Sequence, residues 1–93
     1  MANFYVSSGT SFSATISITY PAGSTCTVSN YKKTWTAPNT TGSWTFKAHE
    51  VGVYTVKAVD GSKSKTAEVV ITTEDDTKTV VLEYKTVLWE NGD

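Results

Sequence analysis

Arginine and glutamine are absent from this 93-residue chain, and five other residue types are nearly so: one cysteine, one histidine, one methionine, two prolines and two leucines. Each shortage removes a class of function. Nucleic-acid binders carry a basic excess and use arginine for bidentate contacts to bases and phosphates. Here the net charge is −1, and the eight basic residues are lysines scattered from Lys32 to Lys85. That distribution suits a solvated surface, so no nucleic-acid partner is expected. With Cys26 alone, no internal disulfide can form, and the inter-sheet bridge of antibody domains is excluded. The scarcity of leucine, methionine, glutamine and arginine withdraws the residues that favour helix. No segment approaches the ~20 apolar residues a membrane-spanning helix needs, and no membrane partner is expected. The opening Met-Ala-Asn-Phe-Tyr-Val-Ser-Ser-Gly has no basic region followed by an apolar run, so no signal peptide is visible.

What is abundant points to strands. Eleven valines and 27 threonines and serines supply β-branched, hydroxyl-bearing positions, and aromatics make up 12%. Such residues fit a pleated, half-buried surface. Ala14-Thr15-Ile16-Ser17-Ile18-Thr19-Tyr20 alternates strictly, the mark of a strand with one face buried. Pro21-Ala22-Gly23-Ser24 then turns the chain. Thr25 to Ser29 resumes with Cys26 and Val28 inward, Tyr31 to Ala37 is a weaker strand, and Pro38 to Gly42 is a loop. Ser43 to Ala48 and Val53 to Val59 alternate again, with the Asp60-Gly61 turn after them. Thr66 to Thr72 and Thr79 to Tyr84 are the last two strands, separated by the acidic loop Glu74-Asp75-Asp76. Turn signals recur at roughly 8–12 residues, the pattern of a sandwich and not of βαβ units. The expected fold is all-β: an immunoglobulin-like antiparallel β-sandwich of about seven strands in a single domain over 1–93. Its core would span 12–85, with 86–93 leading into a linker or a next domain of a longer protein. The apolar ends Phe4-Tyr5-Val6 and Val87-Leu88-Trp89 would pair with the sheet or lead into neighbours. The expected inward set is Ile16, Ile18, Val28, Trp44, Phe46, Tyr54, Val56, Val69, Ile71, Val80, Leu82 and Tyr84.

Glu50-Val51-Gly52-Val53-Tyr54-Thr55-Val56 has the form acid-x-Gly-x-Tyr-x-apolar. It resembles the tyrosine-corner segment of immunoglobulin-like folds, with Val56 where antibody domains carry their second cysteine. From Ala14 to Tyr84 the succession of Ala-Thr-Ile-Ser-Ile, the Pro21-Ala22-Gly23-Ser24 turn, the Gly-x-Tyr-Thr-Val strand and a final Val-Val-Leu strand also resembles the PEGA and carboxypeptidase regulatory-like modules. The tetrapeptide itself departs from the PEGA pattern. These resemblances imply a small β-sandwich appended to bacterial surface proteins, secreted enzymes or phage structural proteins. Fold likeness does not transfer a function.

Chemistry-bearing residues are few. Nucleophilic catalysis needs a serine, cysteine or lysine activated by a base; His49 has no visible orienting partner, and Cys26 sits on an inward strand position. His49 also lacks metal-ligating neighbours at the right spacing. Glu74-Asp75-Asp76 lacks the spaced acids and glycine of a dedicated calcium loop. There is no phosphate-binding glycine loop and no nucleophile elbow. No enzyme, cofactor or metal is therefore expected. Among the tryptophans, Trp44 is in phase with Phe46 and Ala48 and reads as core. Tyr31 and Trp35 would share one face of a regular strand, four residues apart, and they are the candidate ligand-binding aromatics. The expectation for function is a non-catalytic spacer, stalk or adhesion module at a bacterial cell surface or in a phage virion, its partners the flanking domains of a longer chain. The alternative is an accessory domain binding surface carbohydrate or protein through Tyr31, Trp35 or an exposed edge strand.

Overall fold

The computed structural model describes residues 12–84. Within them lie seven strands and no helix: β1 (Ala14–Thr19), β2 (Thr25–Ser29), β3 (Thr34–Thr36), β4 (Ser43–Ala48), β5 (Gly52–Asp60), β6 (Lys63–Ile71) and β7 (Thr77–Val81). They form a three-stranded sheet in the order β4-β1-β7 and a four-stranded sheet in the order β3-β2-β5-β6. The fold is an all-β sandwich of seven strands, as the alternation predicts. Four of its five ladders are antiparallel; β1 and β7 run parallel, from Thr15 opposite Thr77 to Thr19 opposite Val81. The sequence ends Phe4-Tyr5-Val6 and Val87-Leu88-Trp89 lie outside the described residues.

Alternation places one side of every strand in a common core. Ala14, Ile16, Ile18 and Tyr20 from the first strand region meet Cys26, Val28, Phe46, Tyr54, Val56, Ala58, Val69, Ile71, Val80 and Leu82, all buried. Trp35 and Trp44 are half-buried against this cluster. Their rings link the sheets: Trp35 meets Phe46 edge-on at 5.0 Å between centroids, Trp44 meets Phe46 at 5.5 Å, and Phe46 lies 5.9 Å from Tyr54. Such tilted arrangements match the quadrupoles of aromatic rings and add to their area burial.

Turn chemistry sets where strands stop. The two residues Gly61 and Ser62 connect Asp60 to its partner Lys63. Gly61 has a φ of +61°, and no other residue of this tip has a positive φ, the sign pattern of a type II′ hairpin with glycine first. Between β2 and β3, Asn30 Oδ1 accepts from the amides of Lys32 and Lys33 at 2.8 and 3.0 Å. That side chain substitutes for ladder partners, and β3 begins at Thr34, not at Tyr31 as the residue types suggest. The last strand also differs from the expected Thr79–Tyr84. It starts at Thr77, and after Val81 the amide of Leu82 still donates to Thr19 at 2.8 Å. The chain then crosses over, and the Tyr84 hydroxyl shares a 2.6 Å hydrogen bond with Ser24.

Candidate functional site

The residues singled out by sequence fall in three places. Tyr31 sits at the tip of the β2–β3 hairpin with 78% of its surface exposed. Trp35 stands on β3 opposite Val28, which is buried, and turns its ring toward Phe46 and Tyr54. The hairpin turn at Asn30 leaves Tyr31 outside β3, which begins at Thr34. Lysines attend both: Lys32 Nζ lies 5.4 Å from the Tyr31 ring centroid, and Lys33 Nζ the same distance from that of Trp35. Lys32 also pairs with Glu50 at 3.1 Å. The Glu50 carboxylate holds the Lys32 ammonium in its charged form, raising its pKa.

The chemically reactive candidates are occupied by the fold. Cys26 is fully buried opposite Ala58 on the central pair of strands, and burial pushes its thiol up to about 11. A thiolate is the nucleophile in cysteine chemistry, so this side chain is a core residue. His49 Nδ1 lies 3.1 Å from the carbonyl oxygen of Phe12. Asp76 caps the start of β7 by accepting from the Thr77 amide at 2.9 Å and pairs with Lys78 at 3.3 Å. Asp75 adopts a φ of +64°, and its amide donates to Ser13 at 2.8 Å. The acidic loop thus fastens the crossover into β7. Among the described residues no three His, Cys, Asp or Glu side chains converge where a metal ion would bind.

Three tyrosine hydroxyls act as ties. Tyr54 donates to the Glu50 carbonyl at 2.7 Å, across the corner into β5. Tyr20 donates to the Asn39 carbonyl at 2.8 Å, holding the β3–β4 loop against the end of β1. Tyr84 holds the chain after β7 to Ser24, a buried serine between β1 and β2. Close by, Gly42 has a φ of +105°, and a Cβ there would sit 2.9 Å from the Tyr20 carbonyl oxygen. A side chain at 42 would therefore open this loop.

Sequence reasoning offered an exposed edge strand without locating it; two such edges, β6 and β7, form the open side of the sandwich. β6 closes one sheet and β7 the other, and each pairs on one side only among the described residues. Between them runs a groove of about 440 Å³ lined by Ala67, Glu68, Val69 and Val70 on β6 and by Lys78, Thr79, Val80 and Val81 on β7. Val70 and Val81 are more than half exposed. A smaller hollow of about 260 Å³ lies further along β6, lined by Ser62, Lys63, Ser64 and Tyr84. The available signal was Lys78, a charge in the inward phase of β7 opposite Ile16. Inward-pointing charges are a device of edge strands.

A scan against protein-family models matches no family, and no curated protein matches the chain.

Proposed function

We propose that this chain is a non-catalytic structural or attachment module: a spacer, stalk or adhesion domain of the immunoglobulin-like or PEGA kind in a bacterial surface or phage virion protein. The observation that carries this is the parallel ladder between β1 and β7. These are the first and last described strands, and the chain enters β1 at one end of the ladder and leaves β7 at the other. A pull on the two ends therefore draws parallel strands in opposite directions along their length. All the ladder bonds are loaded together in shear, where an antiparallel hairpin pulled from its open end would yield one pair at a time. The ladder is continued at both ends by the 2.8 Å bonds Thr15 to Asp76 and Leu82 to Thr19. The tyrosine ties at Tyr20, Tyr54 and Tyr84 serve the same end, and the Tyr54 bond has the form the tyrosine-corner resemblance implies. Hydroxyl side chains cover both outer faces, for example Thr45, Ser17 and Thr79 across β4-β1-β7, and give the module a soluble surface without strong charge. Single-molecule pulling tests this. Handles fused to residues 1 and 93 load the ladder in shear; handles at Ser62 and residue 93 peel β7 from its end. The expected rupture force is at least ~2-fold higher in the first geometry, because parallel-ladder bonds break together. Equal forces would remove the load-bearing role. The alternative, a carbohydrate- or peptide-binding accessory domain, is favoured on the peptide side by the unpaired edges of β6 and β7.

A further inference from the structure

We propose that the open side of the sandwich is a docking edge for an extended polypeptide strand whose groove-facing side chains are apolar over Ala67 and Val69 and acidic over Lys63 and Lys65. The proposal rests on the attachment role above and names the surface through which attachment takes place. Three observations carry it. First, β6 is nine residues long, and all nine pair with β5, so its other side offers backbone N–H and C=O groups along the strand with no partner among the described residues. An incoming strand gains its affinity from such main-chain bonds and its specificity from pockets for alternate side chains. Second, the edge carries such pockets. Ala67 and Val69 on β6 and Val80 on β7 form an apolar floor, with Val70 and Val81 exposed at its rim. The second hollow, at Lys63 and Tyr84, lies further along the same strand. One strand laid on β6 would pass both. Third, the charge is lopsided. Lys63 and Lys65 occupy the groove-facing phase of β6, Lys65 opposite buried Ala58, and Lys78 lines the groove across from Ala67 and Val69, where it pairs with Asp76 at 3.3 Å. Lys65 makes no ion pair among the described residues, and the one carboxylate in the groove lining is Glu68, on the outward phase. Lysines on an edge repel a second copy of the same edge and attract an acidic strand.

The probe is an acetylated and amidated eight-residue peptide, Val-Thr-Val-Thr-Glu-Thr-Glu-Thr, which carries two valines and two glutamates on one face, titrated into the isotope-labelled full chain and followed by amide NMR shifts. The expected result is a saturable shift confined to Lys63–Ile71 and Thr77–Val81. The same peptide with lysine in place of both glutamates should bind at least ~10-fold more weakly, because it sets like charges together. Glu68→Lys should tighten the glutamate peptide by ~3-fold through its added positive charge. The double variant Val70→Asp with Val81→Asp, which changes only exposed side chains and sets like charge beside an acidic strand, should keep the melting temperature within a few degrees and abolish the shifts. Equal affinity for the two peptides would overturn the proposal, as would shifts at Tyr31 and Val51 in place of β6. So would β6 edge amides already protected from exchange before peptide is added, whether by residues 1–11, by residues 85–93 or by a second copy. The pulling experiment is read on the free protein, so load-bearing and docking can fail separately.

Discussion

β5 and β6 have the same length and share one unbroken ladder, from Gly52 opposite Ile71 to Asp60 opposite Lys63. Yet β5 buries Tyr54, Val56 and Ala58 along most of its run, whereas β6 buries only Val69 and Ile71 near its end. The ladder between them is common to both, so it cannot account for the difference. The opposing sheet does. Its three strands cover β5, which lies between β2 and β6, and leave the edge strand β6 exposed through Lys63, Ser64, Lys65 and Thr66. Position in the sandwich, not strand length, decides which residues carry the stability and which remain free for contact.

The sharpest way to break that comparison is to place a carboxylate on each strand. Val56→Asp on β5 puts an unpaired charge at a fully buried site, and burial of an ion without a partner costs many kcal/mol. Domains of this size hold roughly 5–15 kcal/mol in total. Val56→Asp is therefore expected to unfold the protein at 25 °C, with loss of the dispersed amide spectrum. Val70→Asp on β6 changes a side chain that is 53% exposed and should leave a cooperative melt close to the native one. Similar behaviour from the two variants would mean that the faces are assigned wrongly.

How much of this was legible in the sequence follows from what alternation encodes. A period of two specifies which side chains share a face, and ten of the twelve residues read as inward are buried: Ile16, Ile18, Val28, Phe46, Tyr54, Val56, Val69, Ile71, Val80 and Leu82. Trp44 and Tyr84 are half-buried. The same period says nothing about which strand lies beside which, so the parallel β1–β7 pair and the free edges of β6 and β7 were invisible. Ser24 was also hidden. A serine in a Pro-Ala-Gly-Ser turn carries no sign of burial, and the hydroxyl it meets, that of Tyr84, comes sixty residues later. Residue type alone puts Tyr31 and Trp35 on one strand, because both suit a sheet; the Asn30 side chain, accepting two amides, delays the start of β3 to Thr34.

A smaller effect sharpens the contrast in anchorage. β5 is fastened at its start by the Tyr54 hydroxyl, while its partner on β6, Val69, has no polar tie. Tyr54→Phe keeps the ring packed against Phe46 and Trp35 and removes only the bond to Glu50. The Glu50 carbonyl loses a partner in a partly buried corner, a cost of about 1–3 kcal/mol. For a domain of this length, each kcal/mol corresponds to roughly 4–8 °C in melting temperature. Differential scanning calorimetry should therefore show a clear drop with unfolding still cooperative. A variant that melts with the native protein would show that the hydroxyl is satisfied equally well by water.

The smallest effect tests the ladder itself. Thr55 and Glu68 are directly opposite on the outward face of the β5–β6 pair. Thr55→Lys sets opposite charges across the strands, and Thr55→Asp sets like charges there, each worth about 0.2–1 kcal/mol relative to a neutral pair. Glu68 is exposed and Thr55 half-buried on the outward face, so the two variants should fold. The lysine variant should melt slightly above the aspartate variant, and raising the salt well beyond 0.15 M should close the gap, because exposed charges are screened within about 8 Å at that concentration and more tightly above it. A one-residue slip of β6 would turn Glu68 to the opposite face, since the side-chain period is two. The charge difference would then vanish at low salt as well. A salt-independent gap would instead trace the difference to strand propensity, where threonine's replacements differ for reasons unconnected with Glu68.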